Sequence, residues 1–171
     1  MKKKLIVCLC VIMLLCGCTL QNNTSKNNGG KINIVTTVFP LYDFARNVAG
    51  DKANTDMLVT FGADVHSYEP TPRDIIKIID SDLFINLGSS VDEWTDKVTE
   101  AADGKSLNTL SAMDSVDMKD EEAVEGMEEE RGHSEHTPEP DEHIWTSPKN
   151  AELIVKSICS ALEKADPSNA G

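Results

Sequence analysis

Thr71-Pro72-Arg73-Asp74-Ile75-Ile76-Lys77-Ile78-Ile79-Asp80-Ser81-Asp82-Leu83-Phe84-Ile85-Asn86-Leu87-Gly88 holds two hydrophobic periods that meet at Asp80-Ser81. In the first half Ile75, Ile76, Ile78 and Ile79 recur at the spacing of one helix face. Thr71 can cap that helix, Pro72 suits its first position, and Asp74 follows the cap by three residues. In the second half Leu83, Phe84, Ile85 and Leu87 make a short apolar run that suits a strand buried on both faces, as in a parallel sheet. A helix passing directly into such a strand predicts an α/β unit.

The flanking sequence repeats the alternation. Residues 32–39 are β-branched and mostly apolar, Pro40 can open a helix that Gly50 ends, and a second strand is expected near 53–60. After the central stretch, 91–102 reads as a helix, Asp103-Gly104 as a turn, and 107–113 as a fourth strand. A long final helix over 148–164 carries Ile154, Val155, Ile158, Cys159, Ala161 and Leu162 on one face, with Cys159 expected to be a small buried hydrophobe. The fold class is therefore α/β, a single lobe with a parallel sheet flanked by helices and ending in a long helix. Ligands of such sheets collect at the carboxyl ends of the strands.

Composition narrows the function. The chain of 171 residues has 29 acidic and 16 basic residues, a formal charge of −13. Nucleic acid is excluded as a partner, since the only basic cluster is Lys2-Lys3-Lys4 at the N-terminus. Those lysines precede eleven residues, 5–15, that are all apolar or Cys. At ~1.5 Å per residue this run covers about half of a ~30 Å bilayer core, which fits a secretory signal better than a membrane span. Gly17 before Cys18 is similar to a bacterial lipoprotein cleavage site, implying a signal peptide over 1–18, acylation of Cys18 and attachment to the outer face of a membrane. Residues 19–30, rich in Asn, Ser and Gly, read as a flexible tether. A further segment, 114–142, has 13 acidic residues against Lys119 and Arg131 and reads as an acidic insert in the lobe over 31–171.

There are four histidines. His66 lies in the loop after the second strand and His143 follows the acidic insert, so both are expected at strand carboxyl ends. A neutral imidazole there can give one nitrogen to a divalent metal while a carboxylate or carbonyl holds the other N–H. Asp64, Glu69, Asp141 and Glu142 are the acidic candidates for that support, and Glu69, Asp141, Glu142, His133 and His136 are auxiliary metal candidates. Zinc takes four ligands in a tetrahedron and manganese a larger, oxygen-richer set, so two histidines need further donors. Tyr68 and Trp145 read as packing residues of the loops.

The pair of motifs His66-Ser67-Tyr68-Glu69-Pro70, followed by Pro72 and Asp74, and Asp141-Glu142-His143-Ile144-Trp145, followed by Pro148, resembles the zinc and manganese solute-binding proteins of ABC transporters. The opening Ile34-Val35-Thr36-Thr37-Val38-Phe39-Pro40 is similar to that family's first strand and turn. The resemblance implies two α/β lobes bridged by a long helix. The metal would be held by His66 and His143 of the first lobe, with a His and a carboxylate from the second. It also implies Zn2+ as the bound ion with Mn2+ as the alternative, and a membrane permease as partner. Val65 and Glu142 stand where the family usually has proline before each ligand. The sequence ends where the bridging helix would, so the chain is expected to be truncated: a fragment, the product of a truncated reading frame, or a subunit that needs a separate partner to supply the second lobe. Two rival readings are a surface adhesin that uses the lobe as a scaffold and a secreted zinc hydrolase using His66, His143 and a carboxylate. No nucleophile elbow, phosphate loop or His-Glu-x-x-His motif accompanies them.

Overall fold

The structure is a computed structural model that describes residues 30–89, 92–102, 107–117 and 141–170. The leader with Cys18, the tether up to residue 29, and His133 and His136 of the acidic insert lie outside the described residues. Four parallel strands, β1 (Ile32–Thr36), β2 (Ala53–Met57), β3 (Leu83–Asn86) and β4 (Thr109–Ser111), form one sheet in the order β2-β1-β3-β4. Ile34 is in register with Thr55 on one side and Leu83 on the other, and Phe84 with Thr109. Because the strands are parallel, their carboxyl ends share one rim.

Side chains alternate between the faces of the sheet. Ile34, Leu83 and Ile85 join one core with Leu41 and Ala45 of α1 (Phe39–Ala49) and with Ile154 and Ile158 of the last helix. Val35 and Phe84 point the other way, toward Ile78 of α2 (Pro72–Ile79) and Val98 of α3 (Trp94–Ala101). Helices thus cover both faces, as the sequence predicts, and all four residues of β3 are buried. The last helix, α4 (Pro148–Ala165), starts with Pro148 at its first turn after Ser147, whose hydroxyl accepts from the Asn150 N–H.

Two apolar expectations are corrected. Ile76 is 61% exposed while Ile75, Ile78 and Ile79 meet the core. Cys159 is exposed next to the buried Ile158. Successive helix residues differ by about 100° in direction, so each sits one step beyond the edge of the stripe its neighbours bury. The acidic insert also joins the fold at its edges. Asp114 and Ser115 belong to a short 3-10 turn (Met113–Ser115), and Val116 packs against the first core. Among the described residues no helix is long and apolar enough to cross a membrane.

α2 is fixed at its start by a reciprocal cap. The Thr71 hydroxyl accepts from the Asp74 N–H, while the Asp74 carboxylate accepts from the Thr71 N–H at 3.0 Å. Burial alone would raise the Asp74 pKa, but the Thr71 hydroxyl and N–H, with help from Tyr68 and Lys77, hold it below the ordinary value. Thr71→Ala removes the hydroxyl side of this exchange and leaves the backbone N–H side, and it is expected to lower stability by about 1 kcal/mol, read from the urea midpoint at constant slope.

Candidate metal centre

The loops at the carboxyl rim are held by short local contacts. Beyond β2, the Leu58 and Val59 N–H groups continue to bond Thr36 and Thr37 carbonyls, and the chain then turns out through Gly62 toward His66. The Asp64 carboxylate accepts the backbone N–H of His66 at 3.0 Å, and the Tyr68 N–H donates to the Val65 carbonyl, which makes the His66 segment a tight turn. Tyr68 anchors that turn against Trp94 of α3, with ring centroids 5.7 Å apart. Burial pushes the Tyr68 hydroxyl up to about 12, and the Asp74 carboxylate adds to the rise.

His143 is set by the residue two before it. Asp141 Oδ1 accepts from the His143 backbone N–H at 2.9 Å and lies 3.1 Å from ring Nδ1. With the ring proton on Nδ1, facing that carboxylate, Nε2 is the nitrogen that can bind a metal, which is the support a metal-ligating histidine requires. Downstream, the Thr146 N–H and hydroxyl both donate to the His143 carbonyl, Ile144 is buried in the first core, and Trp145 packs against that core while its ring lies 5.5 Å from the imidazole. Trp145 and Tyr68 thus have the packing roles expected of them.

The two histidine segments meet. His66 Nε2 lies 3.2 Å from Glu142 Oε1, and Glu142 is the residue immediately before His143. The imidazoles of His66 and His143 are 64% and 55% exposed, whereas the Glu142 side chain is only 17% exposed. The other candidates take different places. Asp64 holds the backbone rather than the ring of His66, and Glu69 is exposed and hydrogen-bonds neither histidine. Among the described residues no three His, Cys, Asp or Glu side chains are arranged to hold one ion together. A cleft beside His143 is lined by Asp117, Asp141, Thr146 and Lys149, so the described ends of the acidic insert, Asp117 and Asp141, both border it.

Sequence reasoning missed the residue that ties the rim together. Asp92, 2% exposed, accepts from the N–H groups of Leu87, Gly88 and Ser89 at 2.6, 2.9 and 3.1 Å and from the Thr37 hydroxyl at 3.3 Å. It joins the exits of β1 and β3. Its only signal in the sequence is an acid shortly after Gly88 and before a helix, which reads as an ordinary capping residue.

A family model described as "Zinc-uptake complex component A periplasmic" matches residues 34–171. The zinc-binding lipoprotein AdcA of Streptococcus pneumoniae is 35% identical over 164 residues, 95% of this chain and 32% of that protein. Its Zn(II)-bound crystal structure superposes with a TM-score of 0.67 over 82% of this chain and 28% of that one, at 32% identity. The high-affinity zinc uptake system protein ZnuA of Bacillus subtilis is 29% identical over 166 residues, 93% of this chain and 50% of that protein. A Mn-bound periplasmic metal-binding protein of Candidatus Liberibacter asiaticus aligns with a TM-score of 0.62 at 30% identity, over 82% of this chain and 48% of that one. The chain therefore spans from 32% to 50% of the length of these curated relatives.

Proposed function

Because this chain belongs to the family of zinc-uptake complex component A proteins, we propose that it is the solute-binding part of an ABC import system, capturing Zn2+, or alternatively Mn2+, through His66 and His143. The observation that carries this reading is the meeting of the two histidine segments at the carboxyl rim of a parallel sheet, through the 3.2 Å approach of His66 and Glu142. Asp141 orients the His143 ring in the way a ligating imidazole needs.

In this reading the protein binds without catalysis and hands its ion to a membrane permease. Acylated Cys18 holds it at the outer face of the membrane, and residues 19–30 give the lobe reach. The acidic insert, which leaves and re-enters the fold beside His143, draws cations toward the rim within a Debye length of ~8 Å at physiological salt. Two histidines are half of a tetrahedral zinc shell, so the remaining donors come from a carboxylate, water or a second lobe.

The test is chelator competition on the full chain. One equivalent of zinc is expected to bind, weakly by comparison with a closed four-ligand site, and His66→Ala or His143→Ala is expected to weaken it by a factor on the order of ten or more. Unchanged zinc affinity in the His66→Ala, His143→Ala double variant would falsify the site.

A further inference from the structure

We propose that Glu142 is itself a ligand of the captured ion, forming with His66 a ready-made pair of donors within this lobe. The inference rests on the reading of His66 and His143 as metal ligands and adds the source of an oxygen donor.

Three observations support it. The first is spacing. Two donors at 2.0–2.2 Å from a tetrahedral zinc lie about 3.3–3.5 Å from each other, and His66 Nε2 and Glu142 Oε1 are already 3.2 Å apart. That separation is at the long end for an N–H···O hydrogen bond, so an ion can enter between the two atoms with little movement of either. A neutral His66 ring needs only to carry its proton on Nδ1 to offer Nε2 to the ion.

The second is burial. The Glu142 side chain is 17% exposed, and among the described residues its close charged or imidazole neighbour is His66. Its oxygens therefore face the His66 ring rather than bulk water, so few solvent contacts need to be displaced for an ion to reach them. The third is chain position. Glu142 and His143 are consecutive, and Asp141 fixes the backbone and ring of His143. Movement that brings His143 Nε2 toward an ion bound by His66 and Glu142 is therefore confined to a segment of three residues. Glu69, the glutamate that follows His66 by three residues, is exposed and hydrogen-bonds neither His66 nor His143, so it has no such claim.

The experiment compares the full wild-type chain with Glu142→Gln, His66→Ala and His143→Ala, using zinc with a competing chelator and Co2+ as a spectroscopic probe. Glu142→Gln keeps the size of the side chain and the rest of the rim, and circular dichroism of the metal-free forms checks that the fold is intact. The expected result is a rise in the zinc Kd on the order of tenfold or more in Glu142→Gln, together with a shifted Co2+ visible spectrum from the loss of an anionic oxygen donor. Unchanged or tighter zinc binding in Glu142→Gln, while His66→Ala and His143→Ala still lose zinc, overturns this inference and leaves the metal reading standing. No loss in either histidine variant overturns both.

Discussion

Asp92→Ala is expected to destabilise the lobe by about 3 kcal/mol, because it strips one buried acceptor from four donors at once. Leu87 and Thr37 are each 1% exposed, so the Leu87 N–H and the Thr37 hydroxyl cannot turn to water when the carboxylate goes. Each stranded donor costs about 1–3 kcal/mol. The Gly88 and Ser89 N–H groups are nearer the surface and add less. Urea unfolding with unchanged slope reads the loss directly. Asp92→Asn is expected to fall between, since it keeps an acceptor oxygen but turns an NH2 group toward a backbone donor.

The same carboxylate gives a pH signature. Burial raises the Asp92 pKa above its ordinary value, against the pull of the Leu87, Gly88, Ser89 and Thr37 hydrogen bonds. A carboxyl with a raised folded-state pKa contributes most below its unfolded value of about 3.9, and that contribution is lost as pH rises through the folded-state value. The stability advantage of wild type over Asp92→Asn should therefore shrink as pH rises from about 4 through that range. Parallel stability curves for the two proteins across that range would mean that Asp92 does not titrate differently on folding.

Gly88→Ala is the second large effect, at about 2–4 kcal/mol. Gly88 has φ of +87°, in the region that side chains avoid. A Cβ there would collide with the Ser111 hydroxyl and come within 3.1 Å of the Ser111 Cβ and 3.6 Å of the Met113 Cβ. The clash falls between the exit of β3 and the end of β4, where Ala112 and Met113 N–H groups bond the Asn86 and Leu87 carbonyls. Gly50→Ala separates the two contributions: Gly50 also has positive φ, +54°, but open space where its Cβ would go. Thermal melts should place Gly88→Ala well below Gly50→Ala. Equal losses would show that Ser111 moves aside and that only backbone strain matters.

Much of the scaffold was legible because its signals are local. The change of period inside 71–88 is a property of a few neighbouring side chains, and it appears as α2 followed by β3. The cap at Thr71 uses groups three residues apart, and the helix after Pro148 starts where the Pro and Ser147 permit. Asp141 could be named as a support for His143 because the two are separated by one residue and the contact needs no distant element. Legibility failed at the margins of helix stripes. Whether Ile76 or Cys159 is covered depends on how far the neighbouring sheet and helices extend, which one-dimensional spacing does not contain.

By itself, the sequence determined the alternation of strands and helices, the parallel sheet buried on both faces, the acidic character of the insert, and the placement of His66 and His143 after strands. Each follows from residue order and side-chain chemistry acting over a few positions. Only the tertiary structure decided that Asp92 would reach Thr37, 55 residues away in sequence, and so join the exits of β1 and β3, and that Glu142 rather than Glu69 would face His66. Those partners meet because parallel strands bring distant exits to one rim, and strand order and register set which side chains arrive together.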